Sequence, residues 1–547
     1  MRRLLFLVFF LCFGALVLPC SAIDVQPPAI PVDGDVWDGE TITAPSKLVR
    51  KDGVPYYEIS TCAELAYILQ TGGSWVSANY ILTNDLILND VSLDNMEFGW
   101  DEEDERPLTD TSGLHLWAHP GYDFSGFFDG DGHTISGLYS CQEDYAGLFG
   151  YVSGTIQSLH VVNAYVLGHD FCGGITGDLE GDGSCINCLF SGRVTGNSRV
   201  GGIAGCAGYR STVTDCVNFA SVSGNRFVGG IAGEGDSYSL SNCANYGSVS
   251  GTQHTGGIVG CGACDGCSNL GAVTGASSVG GITGWVKSNA SITHCYNAAP
   301  VTGTTDYIGG IAGMLSGDKT VSMTDCYNTG NILCDGSGNH VGAIIATNTV
   351  IWGKDTVTGC YYLKNDTVNP GLFGCCGVDV PELEPSGTCA KSEAAMKTQS
   401  TYAGWDFTNT WRIDPERNGG YPYLAWEDAS DLPYEEEDPY QIGPLTVRNT
   451  AGNPLSAIPS GPFLVTVPLT RQTTDSDALV LVAAYTADGK YQSLMYVAIR
   501  NATKGATVEV TLPVENAAKD IVSLKAFAVP SFQDMTPMSP AGAFPAE

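Results

Sequence analysis

The chain has 547 residues, with 59 acidic against 25 basic side chains and a formal net charge of −34. A surface of that sign repels nucleic acid and anionic membranes, so neither is expected as a partner. Only 15% of residues are charged and 43% are hydrophobic, which excludes a disordered chain.

Residues 1–22 read as an export signal. Arg2 and Arg3 precede an apolar core from Leu4 to Leu18, followed by the small residues Cys20, Ser21 and Ala22. Pro19 stands where a lipobox wants Gly, Ala or Ser, so cleavage after Ala22 is preferred to lipidation of Cys20. No later apolar stretch approaches the ~20 residues needed to span a bilayer. The mature chain is therefore expected to be secreted or surface-associated, without a transmembrane segment.

Residues 23–56 are rich in Pro and Asp and read as a loose leader. Residues 57–140 are expected to hold an N-terminal cap and the first coils. Thr61 and Glu64 have capping-box spacing, and Leu65, Ile68 and Leu69 form an apolar helical stripe. A short helix there would cover strand edges that otherwise invite aggregation. Tyr80–Leu88 reads as the first coil, Asp101–Glu105 as an acidic loop, and Phe124–Leu138 as two short strands around an Asp-Gly turn.

Residues 141–370 repeat a Gly-Gly-Ile-x-Gly motif. Its second residues are Gly147, Gly174, Gly202, Gly230, Gly257, Gly281 and Gly310, with a decayed copy at Gly342. The intervals are 27, 28, 28, 27, 24, 29 and 32 residues. A near-constant period of this length marks a solenoid, whose units bury their apolar faces against one another. Three β-like stretches per unit, such as Val228–Ala232, Ser239–Cys243 and Ser248–Ser250, predict an all-β fold. The expected form is a right-handed parallel β-helix with three strands per coil. Glycines at its corners would permit positive φ and close backbone approach.

Two further columns keep step with the glycines. Cys188, Cys216, Cys243, Cys267, Cys295, Cys326 and Cys360 form one. Coils stack about 4.8 Å apart, but residues in a ladder point the same way, so packing is preferred to disulfides along this column. Asn218, Asn245, Asn269, Asn297 and Asn328 form the other. They are read as structural corner residues bonded to the neighbouring coil's backbone.

Residues 371–427 are dense in aromatics, including Trp405, Trp411, Tyr421 and Tyr423, and read as a C-terminal cap. An acidic linker at 428–442 follows. Residues 443–547 carry regularly spaced strand-like runs and an Asp488-Gly489 turn, which predicts an immunoglobulin-like β-sandwich.

The Gly-Gly-Ile-x-Gly repeat with its Cys-x-Asn second half resembles the GLUG motif of bacterial surface proteins, over about residues 57–427. The flanking Phe127–Ile135, Trp405–Phe407 and Gly420–Leu424 are similar to segments that accompany those repeats. The resemblance implies exoproteins, adhesin-like proteins and the non-catalytic parts of some immunoglobulin A-cleaving metallopeptidases. The motif itself implies no catalytic residues.

Chemistry-bearing patterns are sparse. None of the eight histidines lies in a His-Glu-x-x-His pattern, so zinc-peptidase chemistry is not expected. Cys261, Cys264 and Cys267 have spacing open to metal ligation, to a local disulfide or to plain packing, the last being preferred. The loops Asp129-Gly130-Asp131 and Glu180-Gly181-Asp182 are open to Ca²⁺ but lack a full ligand loop, so turns are preferred and no cofactor is expected. Arg199 and Arg226 fall on adjacent coils, while Asp215, Asn242, His294 and Asp325 share a column that looks tolerant and exposed. The coils are monotonously alike, whereas an enzyme concentrates unusual residues in one or two of them. The resulting expectation is a non-enzymatic, adhesin-like binding scaffold or spacer whose partners are glycans or host and cell-surface proteins. The runner-up is a β-helical polysaccharide lyase or glycoside hydrolase.

Overall fold

The computed structural model describes residues 27–544 apart from gaps, the longest at 94–99, 108–113, 349–355, 365–389, 429–439, 472–477, 500–506, 515–520 and 530–541. The export signal, most of the acidic loop and most of the acidic linker lie outside the described residues. The chain divides into two compact units, residues 1–434 and 435–547.

The first unit is a parallel β-solenoid. Each coil is more finely divided than the three strands the sequence predicts. One coil contains Ala204–Ala207, Thr212–Thr214, Val217–Asn218, Ser221–Ser223 and Arg226–Gly229. Its first strand joins a nine-stranded sheet, the second a twelve-stranded sheet, and the other three a third ladder system, where other coils merge two of them into one, as in Val273–Gly280. One break has a local cause: Asp215, with φ of 55°, turns the chain between Thr212–Thr214 and Val217–Asn218, whereas the left-handed Phe227 lies inside a strand. Registers step by one repeat, as in Ala204↔Ala232 and Asn218↔Asn245.

The interior is a stack of like residues. Ile175, Ile203, Ile231, Ile258, Ile282, Ile311 and Ile344, all from the glycine motif, are fully buried in one continuous cluster. The seven cysteines at 188, 216, 243, 267, 295, 326 and 360 belong to the same cluster as free thiols. The Cys216 thiol donates to Thr214 O at 3.3 Å and lies 3.6 Å from Cys185 O, so the buried S–H has backbone acceptors.

The helix Cys62–Thr71 is present, and its Leu65, Ile68 and Leu69 are buried in that same cluster. Glu64 N–H donates to Thr61 Oγ1 at 3.3 Å while Thr61 N–H donates to Glu64 Oε2 at 3.2 Å, the reciprocal capping box. The stretch before the helix is not a loose leader. Asp35–Val36 pairs with Leu86–Ile87, and buried Trp37 packs edge-on against Trp117 at 5.4 Å.

The aromatic segment 390–428 departs from a simple end cap. Ala390–Lys391 extends a ladder beyond Tyr361–Leu363, but the rest reaches back along the outer flank. Outward Tyr296 and Tyr327 stack at 5.0 Å and pack with Met396, Tyr402, Trp405, Trp411, Tyr421 and Leu424. Trp426 Nε1 reaches Gly266 O at 2.9 Å, and Trp405 Nε1 reaches Gly359 O at 2.9 Å. The physical reason is the outward file itself. Its later members are large tyrosines, an apolar surface that water covers poorly.

The second unit consists of two antiparallel sheets. Val447, Phe463, Val465 and Val514 from one share an apolar cluster with Val480, Val482, Leu524 and Ala526 from the other.

Candidate functional site

The repeat columns are structural. Asn218, Asn245, Asn269, Asn297 and Asn328 are buried, and each side-chain amide donates to the next Asn's Oδ1 at 2.7–2.8 Å as far as Asn328. Asn328 donates instead to Ala343 O at 3.2 Å. Four of the five thus donate to the next Asn, and only Asn328 bonds the neighbouring coil's backbone as the sequence suggests. Each also donates to the carbonyl two residues on in its own coil, as Asn218 does to Ala220 O at 3.0 Å.

The repeat glycines answer to this ladder. A Cβ on Gly230 would lie 2.2 Å from Gly257 O and 2.3 Å from Asn245 Cγ. Gly202, Gly257, Gly281 and Gly310 meet the same pair of obstacles, while Gly174 meets Phe190 where the others meet Asn. Gly147 is hemmed in by backbone alone. None of these seven has positive φ, so close approach is what demands glycine here.

Two other columns take the left-handed conformation. Asn187, Asp215, Asn242, His294 and Asp325 have φ of 51–55°, with Gly266 and Gly359 in the same column. The pattern that looks tolerant in sequence is therefore a turn requirement, since Asn, Asp, His and Gly accept that region most readily. Tyr145, Phe171, Arg199, Phe227, His254, Ser278 and Tyr307 form the second column, with φ of 54–63°. Bulky residues are strained there, and strain of this kind clusters at binding sites. The third motif glycine makes room for them: a Cβ on Gly233 would lie 2.4 Å from the Arg199 carbonyl carbon.

Beside that column runs an outward file of the nine-stranded sheet, in the order Tyr151, Asp178, Cys206, Glu234, Cys261 and Trp285. The two together break the monotony of the coils. Tyr145 stacks on Phe171 at 4.9 Å, Arg199 lies over Phe171 at 4.7 Å, and Phe227 stacks on His254 at 5.2 Å. His254 is 4.8 Å from Trp285, and Lys287 lies over the Trp285 ring at 5.3 Å.

Polar groups are set among these rings. Glu234 bridges Arg199 at 2.7 Å and Lys287 at 2.6 Å. Burial opposes its ionisation, but the two cations outweigh that and hold the carboxyl below its ordinary range. Asp178 is only 4% exposed and its Oδ1 has no hydrogen-bond partner. Burial, with Glu180 nearby, pushes its pKa up to about 7. His254 Nδ1 also lacks a partner, and burial together with Arg226 and Lys287 lowers that imidazole to about 4. Tyr151 OH donates to Glu180 Oε2 at 2.8 Å.

Arg199 thus belongs to the site, with Arg226 beside it over Phe227 at 4.4 Å. Asp215 and Asp325 sit on the other left-handed column. The three clustered thiols part company: Cys261 lies on the outward file, while Cys264 and Cys267 belong to the interior cluster. The acidic glycine loops already hold cations. Lys51 Nζ bridges Asp129 at 2.8 Å and Asp131, and Arg210 pairs with Asp182. Asp178, Glu234, His254 and Trp285 escape a motif search. Their one signal is register: each stands at the same offset from its glycine motif as small or dissimilar residues in other coils.

The chain is, in class, a parallel β-solenoid with one decorated face. No family model matches it. Over 170 residues, 29% of the chain, it is 35% identical to halomucin of Haloquadratum walsbyi, and that stretch spans 2% of halomucin's length. Among solved structures it is similar to a protein of Bacteroides ovatus provisionally named an immunoglobulin A1 protease. That match has 21% identity and a TM-score of 0.35, covering 68% of this chain and 93% of the other. It is also similar to the enzymatically active domain of tailspike protein 4 of bacteriophage CBA120. There the identity is 9% and the TM-score 0.19, covering 91% of this chain and 70% of the other. Among the described residues no helix is long and apolar enough to cross a membrane.

Proposed function

We propose that this chain is an exported, non-enzymatic, adhesin-like scaffold of the GLUG-repeat kind, displaying a binding face along its solenoid. The carrying observation is the pile of planar groups from Tyr145 through Phe171, Arg199, Phe227 and His254 to Trp285, on coils otherwise built of small residues. Similarity to a stretch of halomucin supports placement at or outside a cell surface. The C-terminal pair of sheets is read as an immunoglobulin-like sandwich serving as a second attachment module. Fractionation of the native host, with purified protein arrayed against mucins, glycans and host surface proteins, tests the reading. Protein confined to the cytosol, or an array with no ligand, overturns it.

One observation favours a second reading, a carbohydrate-active enzyme. Asp178 and Glu234 share a file two coils apart, roughly 10 Å along the stack, and their carboxyls are pushed in opposite directions. That resembles the acid and base of an inverting glycosidase. Against it, Glu234 is held by two cations and is a poor proton acceptor. Release of reducing ends from a polysaccharide panel, abolished by Glu234→Gln, would establish the enzyme.

A further inference from the structure

We propose that the face carrying Tyr145, Asp178, Arg199, His254 and Trp285 binds an extended neutral polysaccharide laid along the solenoid axis. The inference rests on the scaffold reading and names its ligand class.

Three observations converge on a hydroxyl-rich, uncharged chain. Asp178 Oδ1 and His254 Nδ1 are buried polar atoms without partners. Native structures leave few such groups, and each is costly until something bonds to it. A hydroxyl both donates and accepts, so it satisfies a carboxyl, an imidazole nitrogen or another hydroxyl in either protonation state.

Charge argues against an anionic chain. Arg199 and Lys287 are committed to Glu234, Glu180 stands beside Asp178, and the whole chain carries −34. Of the cations on this face only Arg226 has no ion pair among the described residues, so a uronate or sulfated polymer would meet one uncommitted charge against a repulsive background.

Spacing argues against a polypeptide. The stacked groups repeat at the coil rise of about 4.8 Å, whereas an extended peptide advances about 3.3 Å per residue and drifts out of step. A pyranose in an extended glycan advances by about one coil, so successive sugars meet successive rungs. Sugar C–H groups pack against aromatic side chains, and the partly exposed Tyr145, Phe171 and Trp285 supply ring surface along this face, with buried Phe227 backing them.

The test is calorimetric titration of the full chain with cello-, xylo-, manno-, laminari- and chitohexaose, beside polygalacturonate and heparin. The expected result is saturable binding of at least one neutral hexaose, with the matching disaccharide at least 10-fold weaker. Asp178→Leu and Trp285→Ala should each weaken the hexaose at least 10-fold. Should Asp178→Leu fail to fold, the half-buried Trp285 carries the comparison. Binding of the anionic polymers alone, hexaose binding untouched by Trp285→Ala, or no hexaose bound overturns the proposal. If hexaoses fail while mucins or host proteins still bind, the ligand class falls and the scaffold reading stands. If nothing binds, both fall.

Discussion

Asn218 Nδ2 donates to Asn245 Oδ1 at 2.8 Å across one coil, and Asn245 passes an equivalent bond to Asn269. This chain of amides runs through the interior beside the glycine column, and each member fills the space that a missing Cβ leaves. Gly230 and Asn245 are therefore one device, since neither tolerates a larger partner.

Asn245→Leu keeps the approximate volume but strips Asn218 Nδ2 of an acceptor and Asn269 Oδ1 of a donor. Gly247 O also loses the bond it accepts from Asn245 Nδ2. Asn218 Nδ2 keeps Ala220 O, so two buried acceptors lose their donor at about 1–3 kcal/mol each, and a loss of roughly 2–6 kcal/mol is expected. Denaturant unfolding of the solenoid measures it, and a change below about 1 kcal/mol would show the ladder to be dispensable.

Gly230→Ala adds a single methyl where the nearest carbonyl oxygen is 2.2 Å away and belongs to backbone. The coils must separate locally, at an expected cost of about 1–3 kcal/mol. Gly132→Ala is the contrast, because open space surrounds that position and the penalty comes from its φ of +79° alone. Thermal melts of the two should rank Gly230→Ala as the more damaging.

Glu427 lies buried under the flank segment. It accepts from Ser268 Oγ at 2.6 Å, Tyr296 OH at 3.0 Å and Leu424 N–H at 2.8 Å. Burial outweighs these bonds and pushes its pKa up from 4.5 to about 7. A carboxyl raised on folding favours the folded state most below its unfolded pKa, and that advantage is lost as pH rises from about 4.5 through 7. Relative to Glu427→Gln, the wild type should lose on the order of 2–3 kcal/mol between pH 4.5 and 8. Hydrogen exchange of residues 393–428 at the two pH values reads the effect locally. Parallel pH profiles for the two proteins would disprove it.

Burial pushes the thiols of Cys188, Cys216, Cys243 and Cys326 well above their ordinary range, and reaction needs the thiolate. Burial also pushes up the half-buried thiols of Cys141 and Cys206, so among the described cysteines iodoacetamide at pH 8 should label the half-buried Cys334 first and spare the column until denaturant is added. Labelling of Cys243 in the folded protein, seen by peptide mass mapping, would contradict the packing described here.

The amino-acid sequence alone determines the solenoid, because a period of 27 or 28 residues places like residues in vertical files whatever the details of the coil. The inward isoleucines, the packed cysteines and the capping helix follow from that period and from local rules at Thr61 and Glu64. What only the tertiary structure decides is which side of a coil a residue faces and what lies above it. Asp215 and Asp178 both appear as isolated acids in the sequence. The first is a left-handed turn residue, while the second is largely buried in the file between Tyr151 and Cys206 of neighbouring coils. Likewise the aromatic density after residue 396 announces a packed segment, but its place along the flank depends on Tyr296 and Tyr327 aligning through register. Periodicity is a one-dimensional property and survives translation into sequence. Lateral neighbours across coils are set by strand register and corner geometry, which no single repeat encodes.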